Sequence, residues 1–531
     1  MDDTTIMPGR GGQTPARGAP ARTLLLLSVG LALLLVGAGA ILVSSSFDAE
    51  QTSKVLGNPT NAPVNEGAAK ASDISAHNSP SLARNPRDPA NLVVADRIDT
   101  PRFSCALHIS NNGGASWSQT PVPAPSGEKL CYSPDVSFAA DGVLYLSFVT
   151  LRGRANAPNA GWLATSTDKG ETFSDPVKVL KKRLPFQVRL ATDPSEPQRL
   201  YVTWLQASEV GLYRFSEPGN PINAMRSDDG GVTWEEPTQV SSPERQRVIA
   251  PTPVVGPEGE LNVLYLDIGE DVLDYEGAHQ GLGGPPDEGP WQLVLARSTD
   301  RGATWKESLV EERLVPSERF IVFTPPSPSL AVDQDDGRVY AGYYDQRLGD
   351  QDAWVWSSSN GSGDWGAPTR VNDTPEHDET SQYLPKVSVA PDGRLDVIYY
   401  DRRADSSDVK NEVSLQSSTD DGKSFGPRVR LSSEAFSSKI GFGSERDLPD
   451  LGSRLGLLST DSRAFAVWTD TRAGTLASNK QDLARAVVAF SDPPRLSKGV
   501  EYLLRFGGIA LALLGLVLLV LAVLHSRRAT A

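Results

Sequence analysis

A short phrase of Ser, Asp, Gly and an aromatic residue repeats along this chain. Its clearest copy is Ser298-Thr299-Asp300-Arg301-Gly302-Ala303-Thr304-Trp305. The hydroxyl and carboxylate side chains can hydrogen-bond backbone N–H groups in a tight turn, Gly accepts a left-handed conformation, and Trp supplies an apolar plug. Five more copies occupy residues 110–117, 166–173, 227–234, 358–365 and 418–425, the fifth of the six being degenerate. A spacing of roughly 60 residues indicates a propeller or a similar array.

The segments between these turns share one order of short strands. An inner strand such as Ser329–Val332 precedes an Asp-Gly turn, a second strand at 339–344, a third at 353–356, the repeated turn and an outer strand. Alternating apolar residues bounded by Asp-Gly and Pro predict strands and hairpins. The 47 Gly and 40 Pro suit many short strands joined by turns. The predicted fold class is therefore all-β, a β-propeller.

The number of blades follows from an incomplete last unit. Seven second strands can be read, although only six repeated turns exist. The last unit stops after 484–490, while Thr52-Ser53-Lys54-Val55-Leu56 has the pattern of an outer strand without a blade. We predict a seven-bladed propeller over 79–490, closed by this strand, with 44–78 serving as closing strand and connector; closure hides sheet edges. Six blades with an accessory sheet is the alternative.

The repeated turn resembles the Asp-box, or BNR repeat, of the sialidase (neuraminidase) superfamily. The matching polar positions are Asn112, Asp168, Asp229, Asp300 and Asp420, and the matching aromatic positions are Trp117, Phe173, Trp234, Trp305, Trp365 and Phe425. In that family the Asp-box lies between the two outer strands of a blade, on the face away from the active site. The resemblance therefore implies a structural role for these residues. Sialidases have six blades, so a count of seven departs from the family.

Two hydrophobic runs frame the repeats. Residues 24–43 and 506–524 are long enough to cross the roughly 30 Å core of a bilayer. Arginines precede the first run and follow the second, which predicts cytoplasmic tails at 1–23 (disordered) and 525–531, a stalk at 491–505 and an exported propeller. The expected location is the cell membrane, with the propeller outside. Because Ala38-Gly39-Ala40 has the spacing of a signal-peptidase site, removal of the first run is the alternative.

Charge and cysteine content narrow the partners. The formal net charge of −15 argues against nucleic acid, since no basic stripe is present to neutralise phosphates. Cys105 and Cys131 are the two cysteines of the chain, and both lie in the exported part. An even number in an oxidising compartment predicts a disulfide, and two cysteines without a nearby His are a poor metal site.

Candidate ligand residues follow the second strands, on the face opposite the Asp-boxes. Four acid–arginine pairs occur there: Asp96/Arg97, Asp345/Arg347, Asp401/Arg402 and Asp470/Arg472. If they occupy equivalent places, they form a partial ring around one mouth. Arginine forks match carboxylates, which favours an anionic or sugar ligand. The alternative is a structural role, in which these pairs form salt bridges between adjacent blades. Their repetition at equivalent sites favours this structural interpretation.

A catalytic set is not readable from the sequence. The resemblance implies three arginines, a Tyr–Glu pair and an acidic residue for a sialidase, and Arg97-Ile98-Asp99 only partly matches the Arg-Ile-Pro motif of that family. Tyr344, Tyr383 and Tyr400 are available phenols, but strand tyrosines are typical of packing between blades. No metal ligands or catalytic residues are assigned, and no cofactor is expected.

A long acidic loop follows the second strand of the fourth unit. Its acids are Asp267, Glu270, Asp271, Asp274, Glu276, Asp287 and Glu288. It is read as a solvated lid and a candidate for partner recognition, with Ca²⁺ binding through oxygen ligands as the alternative.

The sequence therefore predicts a membrane-anchored, extracytoplasmic, sialidase-like propeller that recognises a glycan or an extracellular protein. An exo-sialidase-type glycosidase is one alternative. A structural or assembly factor, whose two membrane helices pair through Gly37, Gly39, Gly507 and Gly508, is the other.

Overall fold

The computed structural model describes residues 21–46, 52–56, 61–68, 70, 72–153, 156–208, 217–271, 289–316, 327–444, 451–491 and 498–530. The chain forms two compact units. One is Lys54–Ala489, and the other combines Met1–Ser53 with Phe490–Ala531.

Two helices and thirty strands make up the described chain. The helices are α1 (Ala21–Ser46) and α2 (Lys498–Thr530). In chain order the strands are β1 (Thr52–Leu56), β2 (Ala62–Pro63), β3 (His77–Arg84), β4 (Leu92–Ile98), β5 (Ser104–Ser110), β6 (Ser118–Thr120), β7 (Cys131–Phe138), β8 (Leu144–Arg152), β9 (Ala157–Ser166), β10 (Val177–Leu180), β11 (Pro185–Thr192), β12 (Leu200–Gln206), β13 (Ile222–Ser227), β14 (Thr238–Gln239), β15 (Val248–Val255), β16 (Leu261–Asp267), β17 (Trp291–Ser298), β18 (Lys306–Leu314), β19 (Ser329–Val332), β20 (Val339–Asp345), β21 (Asp352–Ser358), β22 (Thr369–Arg370), β23 (Gln382–Val389), β24 (Leu395–Asp401), β25 (Lys410–Ser418), β26 (Val429–Arg430), β27 (Phe436–Ser437), β28 (Gly456–Thr460), β29 (Arg463–Asp470) and β30 (Asp482–Ser491).

The strands form seven antiparallel sheets, so the molecule is a seven-bladed β-propeller. Blades 1 to 6 each take four consecutive strands, starting with β3–β6 and ending with β23–β26, to which β27 adds at β25. Blade 7 has the order β1-β30-β29-β28. The predicted seven blades and the predicted closing strand are therefore confirmed, and the alternative of six blades with an accessory sheet does not hold.

Closure of the ring uses more than one strand. Next to β1, strand β2 pairs with β30 through Ala62 opposite Arg485 and Pro63 opposite Ala484. The Val64 N–H then donates to the Leu483 carbonyl at 2.7 Å. Buried Asn65 donates to Asp482 Oδ1 at 2.9 Å and accepts from the Leu483 N–H at 2.8 Å. The segment that the sequence assigned to a connector thus forms part of the seam.

The repeated turns have the geometry that their residue types predict. In the Ser298 copy, the Ser298 hydroxyl donates to Asp300 at 2.7 Å and accepts from the Gly302 N–H at 2.8 Å, while the Thr304 N–H donates to Asp300 at 2.9 Å. Hydrogen bonds from Thr304 lower the pKa of Asp300 to about 2. Four other copies repeat these bonds, and in the degenerate copy Asp364 takes the place of the missing acid. These turns join third strands to outer strands, as predicted.

The two cysteines form the predicted bridge. Cys105 lies in β5 of blade 1, and Cys131 begins β7 of blade 2, with their Cα atoms 5.5 Å apart. The disulfide therefore joins two neighbouring blades at the end opposite the repeated turns.

The terminal helices are long and apolar enough to cross a membrane. The spans are Ala21–Leu42 and Leu503–Arg528, with mean hydropathies of 2.6 and 2.9. Residues 498–505 of the predicted stalk are helical and form the first two turns of α2. Residues 492–497 and the predicted tail up to 20 lie outside the described residues. Sidedness and removal of the first run stay predictions.

Glycines bring α1 and α2 into direct contact. A methyl group on Gly37 would lie 2.5 Å from the Gly508 carbonyl oxygen, and one on Gly515 would lie 2.6 Å from that of Gly30. Of the four predicted glycines, Gly37 and Gly508 lie at this contact, whereas Gly39 and Gly507 have open space around them. Small residues let helix backbones approach closely in lipid.

Gly37→Leu is expected to separate the two helices, because the added side chain meets the Gly508 backbone. Spin labels on cysteines at the exposed positions Leu25 and Leu524 should show a longer and broader distance distribution in nanodiscs. The matched control Gly39→Leu should leave it unchanged. An unchanged distribution in Gly37→Leu would show that this contact does not hold the helices together.

Asn65→Ala is expected to weaken the seam by about 2–4 kcal/mol, because it leaves the buried Asp482 oxygen and the Leu483 N–H without partners. Chemical denaturation of the full chain in detergent measures this loss. Gln198→Ala, at an exposed turn position of blade 3, should change the unfolding free energy by less than about 0.5 kcal/mol. Equal effects of the two substitutions would contradict a closing role for Asn65.

Candidate functional site

Three aspartates end the second strands of blades 5, 6 and 7, and each pairs with the arginine two residues later. We call these pairs the Asp-x-Arg corners. They are Asp345–Arg347, Asp401–Arg403 and Asp470–Arg472, each with an N–O distance of 2.7 Å. Second strands run away from the repeated turns, so the corners lie at the opposite end of the propeller, as the sequence predicted for that face.

Each corner arginine also reaches the preceding blade. Arg347 contacts Glu311 of β18 at 3.0 Å. Arg403 contacts Asp373, which follows β22, at 2.5 Å, and Arg472 donates to Ser433, which follows β26, at 2.6 Å. The three arginine side chains keep between 19% and 23% of their surface exposed. The corners therefore link blades and still face solvent; ligand binding by them stays a prediction.

Arg402, which the sequence paired with Asp401, is placed differently. It is buried, its Nε donates to Asn411 at 3.0 Å, and its guanidinium lies 5.0 Å from the centre of the Tyr383 ring. Arg403 instead holds Asp401. Successive residues at a strand end point to opposite sides, which sends one arginine into the blade and the other to the rim.

Asp96 and Arg97 do not occupy the corner position, so the prediction that they join the other three pairs in a partial ring is wrong. Leu92 in blade 1 and Val339 in blade 5 each pair with the serine of the repeated turn. Six residues further along the strand, blade 5 has the corner residue Asp345 and blade 1 has Ile98. Asp96 lies two residues earlier and Arg97 pairs with Asp99 at 2.8 Å. Asp96 and Arg97 have the residue types of a corner, but they occupy different positions on the strand.

At the position of Asp96, the other six blades carry an aromatic side chain. Those residues are Phe148, Trp204, Tyr265, Tyr343, Tyr399 and Trp468. In blade 1, buried Asp96 instead accepts from His77 Nδ1 and His108 Nε2, each at 2.7 Å and each on its own oxygen. These are distances of charge-assisted hydrogen bonds. The three side chains could also approach a metal ion, but the contacts between them are those of a hydrogen-bonded network.

The charges within this cluster support one another. Burial alone would raise the pKa of Asp96, but the two imidazoles lower it. Burial alone would lower the pKa of His77, but the Asp96 carboxylate raises it. The buried network therefore favours a protonated His77 beside the Asp96 carboxylate, which also bonds the His108 imidazole.

The strand tyrosines pack between blades. Rings of Tyr343, Tyr344, Tyr383, Tyr400 and Phe436 follow one another with centroids 4.9 to 6.2 Å apart. The Tyr383 hydroxyl donates to Asn411 and the Tyr400 hydroxyl donates to the Thr469 carbonyl, each at 3.0 Å. Both side chains are fully buried, and burial raises the pKa of each phenol. The phenols of Tyr383 and Tyr400 are therefore not placed to attack a bound substrate.

A Tyr–Glu pair does occur in blade 4. The Tyr265 hydroxyl donates to Glu307, which also pairs with Arg245 at 2.9 Å. Tyr265 is completely buried, and burial next to Glu307 raises the pKa of its phenol. Tyr265 lies on the second strand β16 and Glu307 on the outer strand β18, so the pair lies within the blade and not on its inner strand.

A polar cavity that the sequence did not predict lies on the axis. It has a volume of about 180 Å³ and is lined by inner strands of all seven blades. Each blade contributes the residue at the same position of its inner strand. From blade 1 to blade 7 these residues are Ser81, Asp135, Arg189, Thr252, Ser329, Lys386 and Gly456. Arg454, two residues before Gly456, also lines the cavity.

A β-bulge precedes this position in five blades. The residue in the bulge has a positive φ of 50° to 63°, at Ser79, Ser133, Gln187, Ala250 and Leu384. A bulge re-aims the side chains that follow it, here toward the axis. In four of the five blades the residue after the bulge is proline. This repeated X-Pro step is the feature of the sequence that could have indicated the bulges.

Of the acidic loop, Asp267, Glu270 and Asp271 are described, and all three have partners. Asp267 pairs with Arg245 at 2.8 Å, Glu270 with Arg247 at 3.3 Å, and Asp271 accepts from Trp291 at 3.2 Å. Asp274, Glu276, Asp287 and Glu288 lie outside the described residues, so Ca²⁺ binding by the loop stays a prediction.

No family model and no curated protein matches the chain. Among solved structures, similar folds include a protein of unknown function from Dyadobacter fermentans (15% identity, TM-score 0.44, covering 83% of this chain and 99% of that one). An ulvan lyase has 11% identity and a TM-score of 0.46 (81% and 95%), and the NanB sialidase from Streptococcus pneumoniae has 9% and 0.40 (83% and 98%). At such identities and scores, these likenesses carry no information on activity.

Asp96→Asn is expected to destabilise the protein more at pH 5.5 than at pH 9. The raised pKa of His77 gives stability that is complete below pH 6.5 and is lost as pH rises through the folded value. The lowered pKa of Asp96 gives stability that is complete above pH 3.8 and is lost as pH falls. Urea unfolding at both pH values measures this, with Asp228→Asn as a control away from histidine. A loss independent of pH would contradict the ion pair.

Proposed function

We propose that this protein is a membrane-anchored, extracytoplasmic recognition module that binds a glycan at the Asp-x-Arg corners. The observation that carries the proposal is the common placement of three partly exposed arginines on consecutive blades. Each guanidinium is already held by an aspartate, so little conformational entropy is lost when a ligand binds. Arginine N–H groups that remain free suit the hydroxyl and carboxylate oxygens of sugars.

The rigidity of the rim supports recognition. Arg347 lies 5.0 Å and 5.5 Å from the ring centres of Trp354 and Trp356, in addition to its two carboxylate partners. Arg403 shares Asp401 with Arg428, which contacts the same oxygen at 3.1 Å. These contacts hold the guanidinium planes in place before a ligand arrives.

The buried tyrosines favour binding over hydrolysis. A covalent sialidase mechanism needs a phenol that a general base activates next to the bound sugar. The phenols of Tyr383 and Tyr400 are buried within the blades, and the phenol of Tyr265 is buried and donates to Glu307 of the outer strand. Anchoring rests on the two terminal helices, whose flanking arginines favour an exported propeller.

The test is a glycan array probed with the full chain in nanodiscs. We expect saturable binding that Arg403→Ala weakens at least about tenfold, because hydrogen bonds to charged groups contribute about 1.5–3 kcal/mol. Asp401 keeps Arg428 and Ser414 as partners in this variant, so the fold should persist. Arg301→Ala, at an exposed repeated turn on the opposite end, is the matched control and should bind normally.

Two other results would overturn the proposal. Release of a fluorescent phenol from a sialoside, lost in Arg403→Ala, would identify an exo-sialidase. Absence of glycan binding together with a stoichiometric extracellular or membrane protein partner would identify protein recognition or an assembly role.

A further inference from the structure

The axial cavity has an excess of positive charge. Arg189, Lys386 and Arg454 line it against a single acid, Asp135. This local balance has the opposite sign to the net charge of −15 of the whole chain. The cations also repel one another: burial and the charge of Arg454 lower the pKa of Arg189 to about 9, and burial with Arg454 and Arg189 lowers the pKa of Lys386 to about 8.

The single negative charge of Asp135 does not neutralise the three cations, and its two oxygens already accept hydrogen bonds from other groups. Its Oδ1 accepts from Ser81 at 2.6 Å and contacts Arg454 at 3.2 Å. Its Oδ2 accepts from the Leu190 N–H at 3.0 Å. Arg189 donates at 3.2 Å to Ser133 and to Ser327, both uncharged.

Lys386 has neither a hydrogen-bond acceptor nor a carboxylate within contact distance among the described residues. Lys386 is partly buried and lines the cavity, and its charged neighbours are Arg454, Arg189 and Asp135. Burying a charge without a partner is costly, and pairing with an opposite charge recovers that cost. An anion placed between these side chains would supply the missing partner.

We propose that the axial cavity binds one oxyanion, a phosphate, sulfate or carboxylate group, held by Lys386, Arg189 and Arg454. The volume of about 180 Å³ exceeds the roughly 10–15 Å³ needed for one water by about tenfold, so such a group fits with its hydration partners. Several cations around one point favour an anion with several oxygens, which accepts from each of them.

The oxyanion has two sources, a free inorganic ion or the acid group of a larger ligand. The site does not rest on glycan binding at the Asp-x-Arg corners, because inorganic phosphate alone tests it. A failure of either proposal leaves the other standing: the corners lie at the ends of the second strands, whereas the cavity lies midway along the inner strands.

The experiment titrates the full chain in detergent with sodium phosphate at constant ionic strength and follows binding by calorimetry. We expect one site per chain and at least a tenfold weaker affinity in Lys386→Met. This variant keeps the apolar stem and removes no hydrogen bond among the described residues. Lys423→Met, which removes an exposed charge at the repeated turn of the same blade, is the matched control and should bind like the unchanged protein.

Further titrations distinguish a free inorganic ion from the acid group of a larger ligand and test the role of the Lys386 charge. Glucuronate binding more tightly than both phosphate and acetate, with glucose inactive, would point to a sugar acid. Phosphate binding more tightly than glucuronate would point to the free ion. Affinity should fall as pH rises from 7 to 9, because Lys386 loses its proton, and Lys386→Met should lack that part of the fall. Heat no greater than that of chloride, or equal affinity in the unchanged protein and Lys386→Met, would overturn the proposal.

Discussion

The pairing of the N-terminal segment with the last sheet is the interaction on which the propeller depends. Without it, blade 7 has three strands, and β30 presents an unpaired edge. The same segment reaches the rim, because Asn61 accepts from the Ser433 N–H at 2.7 Å and from Arg472 at 3.2 Å. Ring closure and the geometry of one Asp-x-Arg corner are therefore stabilised by the same few residues.

Much of the fold was predictable because its signals are local. The repeated turn encodes its own hydrogen bonds in residues from Ser298 to Thr304, and a unit without its outer strand indicates where closure must occur. The disulfide was predicted from an even cysteine count in a segment that the sequence predicts to be exported. Helix pairing was predicted only in part, because Gly37 and Gly39 look alike in sequence, and only the rotation of each helix decides which of them meets α2.

The candidate site was harder to predict, because its residues depend on register. Asp96 followed by Arg97 looks like a corner until strand pairing shows that Ile98 occupies the corner position. Two arginines follow Asp401, and the sequence does not distinguish them. Arg402 is buried and packs against the Tyr383 ring, whereas Arg403 lies at the rim. Arg189 and Lys386 lie on the inner strands of blades 3 and 6, and Arg454 lies just before the inner strand of blade 7. Their convergence arises only when the ring is closed, so no local pattern contains it.

The seam also has a consequence for how the molecule is made. Strand β1 emerges from the ribosome roughly 430 residues before β30, its partner. At about 5–20 residues per second, the first strand waits on the order of 20 to 90 seconds for its sheet. During that delay six blades can assemble while both edges of the incomplete ring stay open. Strand β1 therefore stays without its partner until synthesis has passed the last blade.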